Sequence, residues 1–314
     1  MNSHGADNLT RAYSILEKEF SLSIDESMAQ HTSFKVGGVA DLFAAPSSRD
    51  ELIGIVKLAR KLSVPVTLMG RGTNLLILDK GIRGLVLSTK CMNDVLSASR
   101  VSETQTLVTA SSGVILATLA RFTMEKELEG FGFAAGIPGT VGGAIMMNAG
   151  TSQGTISEHL ASLEILTLDG NVQTVDRSEL LCFHRQLAFK GFSPGQIVLA
   201  GNFLLPDGDR AAMEARWLEL LEKRHKSQPE RVASAGCFFK NPEKERPAGF
   251  LIDRAGLKGT RCGNAMVSNT HANFIVNLGG ATAKEILTLK TMIENGVKKK
   301  FNVDLKPEVK IEGE

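Results

Sequence analysis

A chain of 314 residues exceeds the usual size of one hydrophobic core, and 43% apolar residues are enough to fill two or three. Lys+Arg 36 against Asp+Glu 34 leaves +2, which excludes the electrostatic footprint of a nucleic-acid-binding protein. The polar start Met1-Asn-Ser-His-Gly-Ala-Asp7 is not a signal peptide, no run of about 18 apolar residues suggests membrane insertion, and cysteines at 91, 182, 237 and 262 lack the spacing of a zinc site or secreted disulfide scaffold.

Leu9, Tyr13, Leu16 and Phe20 recur at helical spacing and predict an opening helix. Ser48-Arg-Asp-Glu51 has the form of a capping box ahead of a helix with Leu52, Ile55, Val56, Ala59 and Leu62 on one face. Residues 64–69 and 84–88 read as strands, giving a βαβ-like start. A second block follows with a strand at 106–110, a helix through Ile115, Leu116, Leu119 and Phe122, and strands at 163–168 and 197–205. Pro206-Asp-Gly-Asp-Arg210 reads as a linker, followed by a helix carrying Trp217, Leu220 and Leu221. The chain closes with a capping box at Thr282-Ala-Lys-Glu285, a helix carrying Ile286, Leu289, Met292 and Ile293, and two short strands ending at Ile311. Lys298-Lys299-Lys300 ends that helix, where cations complement the dipole, and reads as a solvated helix end. Three domains are expected, at 1–92, 93–206 and 207–314.

Two glycine clusters stand out. Gly70-Arg71-Gly72-Thr73-Asn74 directly follows a predicted strand, where glycines let the backbone approach a ligand and successive amides form an anion-binding concavity. An ordinary turn would use the same residues, and neither G-x-x-x-x-G-K-[ST] nor G-x-G-x-x-G is present, position 75 being Leu. Gly136-Ile-Pro138-Gly139-Thr-Val141-Gly142-Gly143-Ala144 is more specific, because each glycine inside a regular element costs roughly 0.5–1 kcal/mol, and a loop wrapped on a diphosphate would account for that expense. Ser234-Ala-Gly-Cys237-Phe-Phe-Lys240-Asn241-Pro242 sets a thiol between glycine and two aromatics. Pro242 removes a donor where a ladder would continue, so the segment reads as a short strand presenting polar groups at a cleft.

These segments occur in order with Met147-Asn-Ala-Gly150, Gly249-Phe-Leu-Ile-Asp-Arg-Ala-Gly-Leu-Lys-Gly259, His271-Ala-Asn-Phe-Ile-Val-Asn277 and Pro307-Glu308-Val309. Together, from about Thr32 to Gly313, they resemble the UDP-N-acetylenolpyruvoylglucosamine reductase (MurB) family of bacterial cell-wall flavoenzymes. The resemblance implies an α+β fold: an FAD-binding domain of vanillyl-alcohol-oxidase type in two αβ subdomains, with a C-terminal substrate-binding domain. It implies FAD and NADPH as cofactors and a UDP-sugar enolpyruvyl ether as substrate, and the cysteine pattern fits reduced thiols in a cytoplasm. The sequence is silent on oligomeric state, a monomer being the working expectation.

The resemblance also assigns roles. Arg185, in Phe183-His-Arg-Gln-Leu187, stands where the family has the arginine that binds the enolpyruvyl carboxylate, and a bidentate guanidinium suits a planar carboxylate gaining charge. Glu308 would polarise the intermediate, and Cys237 stands where many members have the protonating serine. A thiol is the stronger acid, with a reference value near 8.5, so the exchange keeps a proton donor. Lys240 and Asn241 would reach substrate phosphates or sugar, with Arg224 as a diphosphate candidate; Gly70 to Asn74 and Gly136 to Ala144 would hold the FAD. His184 and Leu187 replace a tyrosine and a serine of the family pattern, and Tyr13, the chain's one tyrosine, rules out the tyrosine-bearing loop of one subclass. His271 reads as structural. Two other readings stay open: another FAD oxidase or hydroxy-acid dehydrogenase of this fold, and an idle flavin or nucleotide-sugar binding protein.

Overall fold

The computed structural model describes residues 3–243 and 245–314. They pack as two units: one gathers the chain up to Ile24 with Leu42–Arg71 and Gly84–Glu222, the other Asp25–Asp41, Gly72–Arg83 and Lys223–Glu314. The units are interleaved in sequence, unlike the contiguous spans read from composition and turn signals.

In the first unit, helix α1 (Ser3–Glu19) buries Ala12 and Leu16, and α2 (Arg49–Lys61) buries Leu52, Ile55, Val56 and Ala59 in the same cluster as Leu85, Leu87, Leu166 and Leu199. The α2 cap differs from the expected box by one residue. Ser48 Oγ accepts from Glu51 N at 3.2 Å, but the Glu51 carboxylate accepts from Ser47 N at 2.8 Å, not from Ser48. Strand Val66–Met69 runs parallel to Ile82–Ser88, with Val66 opposite Leu85. Parallel strands need a crossover, and here it is the segment 70–81, which holds the short strand Leu75–Ile77 and no helix.

The larger sheet has five antiparallel strands in the order Val172–Asp176, Leu160–Leu166, Ile197–Pro206, Gln105–Ser111 and Leu96–Arg100. Its buried face meets α3 (Leu116–Glu125) and α4 (Val141–Met146) around Val108, Leu119, Ile145, Leu163 and Phe203. Trp217 of α5 (Arg210–Ser227) joins that core. The predicted linker at 206–210 is a bonded turn instead. Asp207 pairs with Arg100 at 2.8 Å, Gly208 N donates to Glu127 O at 2.7 Å, and Asp209 Oδ1 accepts from Ala211 N at 2.8 Å at the start of α5.

In the second unit, α6 (Ala248–Arg254) and α7 (Ala283–Phe301) share a core with the antiparallel strands Arg261–Cys262, Ala265–Val267 and Ile275–Asn277. Ala283, Ile286, Leu289, Ile293 and Val297 recur at three- and four-residue spacing and form the buried stripe of α7. Met292 lies off that stripe and is 41% exposed. The expected capping box of Thr282 and Glu285 is present, and Asp79 adds a second cap, accepting from Ala283 N at 2.7 Å and Lys284 N at 2.9 Å. At the other end Lys298 pairs with Asp304 and Lys300 donates to Arg254 O, so the basic run serves the helix terminus. Of the two closing strands expected, one forms: Lys310–Glu312, parallel to Leu75–Ile77. Residues 307 and 239 meet only as an isolated bridge.

Among the described residues no helix is long and apolar enough to cross a membrane. The ring of Phe238 is fully buried, edge-on to Phe34 at 6.4 Å between centroids. Phe238→Ala is expected to cost about 3–5 kcal/mol, the range for an aromatic cavity in a packed core, while Phe250→Ala on the exposed side of α6 costs less than about 1 kcal/mol. Denaturant midpoints of the two variants give the comparison.

Candidate active site

The two glycine loops meet in the first unit through Gly70. A Cβ on Gly70 would lie 2.7 Å from Thr140 Oγ1, so no side chain fits between them, and Ser88 Oγ donates to Gly70 O at 2.9 Å. Gly136 and Gly139 adopt φ of +68° and +121°, conformations that residues with a Cβ rarely take.

Part of the expected phosphate cradle is bonded to the core. Val141 N donates to Val114 O and Gly142 N to Ser112 O, each at 2.8 Å, so these two amides are already committed. Val141, Gly142 and Ala144 are buried, and a Cβ on Gly142 would lie 2.7 Å from Ser112 Cβ. Those three residues hold the loop to the core, while Gly136, Pro138 and Gly143 form its exposed rim. Ser112 Oγ and Asn148 Oδ1 are buried with no hydrogen-bond partner among the described residues. A buried hydroxyl left unmatched beside a glycine rim, as Ser112 Oγ is, fits a site completed by a large polar group such as FAD.

Residues 70–74 divide between the units. Gly70 and the exposed Arg71 belong to the first, while Gly72, Thr73 and Asn74 belong to the second. There Gly72 O accepts from Ser33 N at 3.1 Å, and Asn74 holds the C-terminal segment, donating from Nδ2 to Glu308 O at 3.2 Å and accepting from Lys310 N at 3.0 Å.

Arg185 occupies the second position of the two-residue turn joining Leu180–Phe183 to Gln186–Phe189, with Phe183 opposite Gln186. Its φ is +60°, a costly conformation for a residue with a long side chain. Nη1 donates to Gly150 O at 2.9 Å, and Asn148 Nδ2 donates to Phe183 O at 2.9 Å. His184 is exposed, whereas Leu187 points into the core, so the residue in the family's serine position packs against apolar neighbours.

In the second unit the Cys237 segment lies between two others. Cys237 bridges to Phe274 on one side, Phe239 bridges to Pro307 on the other, and Glu308 N donates to Phe238 O at 2.8 Å. Cys237 and Glu308 therefore come from neighbouring backbone segments. Phe238 and Phe239 are both buried, which breaks the alternation of an ordinary strand. Asn273 makes that possible: Oδ1 accepts from Phe239 N at 3.0 Å, Nδ2 donates to Phe239 O at 2.8 Å, and its own carbonyl accepts from Phe238 N at 2.7 Å. Nothing adjacent in the sequence marks Asn273, and a buried asparagine in a short β segment is the signal that identifies it. Lys240 is half-buried and fixed by its amide to Lys306 O at 2.8 Å. Asn241 Oδ1 accepts from Ala248 N at 3.1 Å and so caps α6, leaving only its amide hydrogens to reach a ligand. Arg224 lies in the last turn of α5.

Residues 228–312 match the model of the UDP-N-acetylenolpyruvoylglucosamine reductase C-terminal domain, and 40–176 match that of an FAD binding domain. A UDP-N-acetylenolpyruvoylglucosamine reductase of Clostridium novyi is 39% identical, the match covering 96% of this chain and 95% of that protein. One from Desulfosudis oleivorans is 40% identical over 92% and 94%. The crystal structure of UDP-N-acetylenolpyruvylglucosamine reductase (MurB) from Thermus caldophilus superimposes with a TM-score of 0.76 at 32% identity, covering 93% of this chain and 98% of that one.

Two histidines carry a pH dependence. Burial holds the His271 imidazole below its usual range, with the Lys258 charge acting the same way, and its Nδ1 accepts from Asn273 N at 3.2 Å, which requires the neutral ring. His159 is also held low, chiefly by burial and against the opposing charges of Glu158 and Glu129. Unfolded imidazole binds its proton near about pH 6.5, so both residues stabilise the fold fully above that value. The contribution is lost as pH falls through the depressed folded values. The melting temperature is expected to drop between about pH 7.5 and 5.5, and His271→Asn to flatten part of that slope. An unchanged slope in that variant would show that His271 binds its proton alike in the folded and unfolded chain.

Proposed function

The chain belongs to the UDP-N-acetylenolpyruvoylglucosamine reductase family, and on that premise we infer that Arg185, Cys237 and Glu308 carry its chemistry. It is an FAD-dependent oxidoreductase of peptidoglycan precursor synthesis, reducing UDP-N-acetylglucosamine enolpyruvate to UDP-N-acetylmuramate with NADPH. The reading of the site rests most on one observation: the 2.8 Å bond from Glu308 N to Phe238 O sets the thiol segment beside the terminal Pro307-Glu308-Val309 segment. The location is the cytoplasm, where the sugar nucleotide and NADPH are both present.

FAD, when bound, supplies the terminal enolpyruvyl carbon with hydride drawn from NADPH. The rim of Gly136, Pro138, Gly139 and Gly143 would hold it, with Gly70 and Arg71, and Ser112 Oγ is an unmatched group for its polar edge. Val141, Gly142 and Ala144 shape that rim from behind.

Hydride addition moves charge onto the substrate carboxylate. Arg185 neutralises it with a planar pair of donors whose orientation is set before the charge develops. Glu308 polarises the resulting enol, and Cys237 delivers its Sγ proton to the carbon beside the carboxylate. Lys240, Arg224 and the Asn241 amide would take the diphosphate and sugar. The oxidase and hydroxy-acid dehydrogenase reading would leave the paired Cys237 and Glu308 segments without a purpose.

Arg185→Lys is expected to leave flavin content and reduction by NADPH near wild type while slowing reoxidation by substrate at least ~10²-fold, the scale for losing one preorganised donor to a developing anion. Equal slowing of both half-reactions in stopped-flow traces would mean that Arg185 serves the flavin or the fold. Cys237→Ala should slow the substrate half-reaction alone by ~10²–10⁴-fold, whereas Cys237→Ser stays active and extends the alkaline limb, because a hydroxyl does not ionise where thiols do. Reoxidation of the alanine variant at the wild-type rate would return Cys237 to a packing role.

A further inference from the structure

The Arg185 turn is gripped twice by the segment that follows α4. Gly150 O accepts from the Arg185 guanidinium, and two residues earlier Asn148 Nδ2 donates to the carbonyl of Phe183, which opens the turn. The rest of the turn offers little restraint. Phe183 is 55% exposed, His184 is exposed, and a two-stranded hairpin is marginal on its own. Asn148 is different: it is buried, its amide is fixed to Ile145 O at 2.9 Å, and its φ of +40° is one that asparagine tolerates better than most residues. The carboxamide has one orientation, since the flipped form would set Oδ1 against the Phe183 carbonyl. In that orientation Oδ1 is left buried and unmatched within the protein, a cost that glycine at the same φ would avoid. The position keeps a residue that the fold alone does not require.

We propose that Asn148 is a positioning residue for the reaction: by holding the Phe183 carbonyl it fixes the His184-Arg185 turn, and with it the direction in which the Arg185 guanidinium meets the substrate carboxylate. This rests on the assignment of Arg185 to that carboxylate, and the two are separable by experiment. Aspartate has the shape and the backbone tolerance of asparagine but presents no donor when ionised. Glycine keeps the φ and removes the side chain.

The test uses FAD-loaded enzyme in stopped flow, with NADPH and the enolpyruvyl sugar nucleotide added separately. Asn148→Gly and Asn148→Asp are expected to retain flavin and to be reduced by NADPH within about 2-fold of wild type, while reoxidation by substrate slows about 10- to 100-fold, the scale of an ångström-level misplacement. Relative to wild type at the same pH, Asn148→Asp should recover as acidity protonates the carboxyl and restores a donor to Phe183 O. Asn148→Gly placed in the Arg185→Lys background should add less than about 3-fold, because residues acting through one group are not additive. If Arg185→Lys slows reoxidation but the Asn148 variants do not, or if the two changes multiply, the positioning role is overturned and the Arg185 assignment stands. Flavin loss or equal slowing of both half-reactions in Asn148→Asp would overturn it in favour of a structural role. Unimpaired reoxidation in Arg185→Lys would instead remove the premise, and with it the proposal.

Discussion

The proposed chemistry depends on a cation held still before it is needed. Charge that develops on a carboxylate during hydride addition is stabilised most by a donor whose orientation has already been fixed, so no reorganisation remains at the moment of reaction. The fold meets this by accepting local strain. Arg185 sits at a φ of +60° in a two-residue turn, and its guanidinium is tied to Gly150 O. Backbone strain of this kind persists only where surrounding contacts overdetermine it. Here they come from the segment that follows α4, a helix that begins in the glycine loop expected to carry the cofactor. A single short helix thus links the rim proposed to hold the FAD to the residue proposed to hold the substrate.

The second unit applies the same logic with different means. Gly236, at φ +79°, and the Asn273 carboxamide let two consecutive phenylalanines face the core, which an unassisted strand would not permit. Anchoring both rings immobilises the residues on either side, Cys237 and Lys240. Neutral His271 supports Asn273 through Nδ1 and so influences how firmly the thiol segment is held. Asn74 adds a tie from a segment remote in sequence, binding the carbonyl of Glu308 itself.

Much of this was legible from residues alone, because capping boxes, buried stripes and glycine clusters are local signals. The α7 box and stripe are present as expected, and motif order led to the family. Local signals failed where partners are remote. Nothing near Gly142 says that its missing Cβ makes room for Ser112. Nothing near Pro206 says that Asp207 will find Arg100, which turns an apparent linker into a bonded corner. The strands at 75–77 and 310–312 are too short to announce themselves, yet their parallel pairing draws residues 72–83 into the unit formed by the C-terminal third of the chain. Asn148 and Asn273 are ordinary polar letters in the sequence, and their weight is evident only once burial and bonding partners are known.

The most direct measurement of the whole account is the colour of the purified protein under anaerobic conditions. The account predicts a yellow protein with bound FAD whose flavin absorbance is bleached by NADPH and restored by UDP-N-acetylglucosamine enolpyruvate, with UDP-N-acetylmuramate formed in equal amount. A protein that takes up no FAD, or a reduced flavin that the enolpyruvyl nucleotide fails to reoxidise, would contradict it.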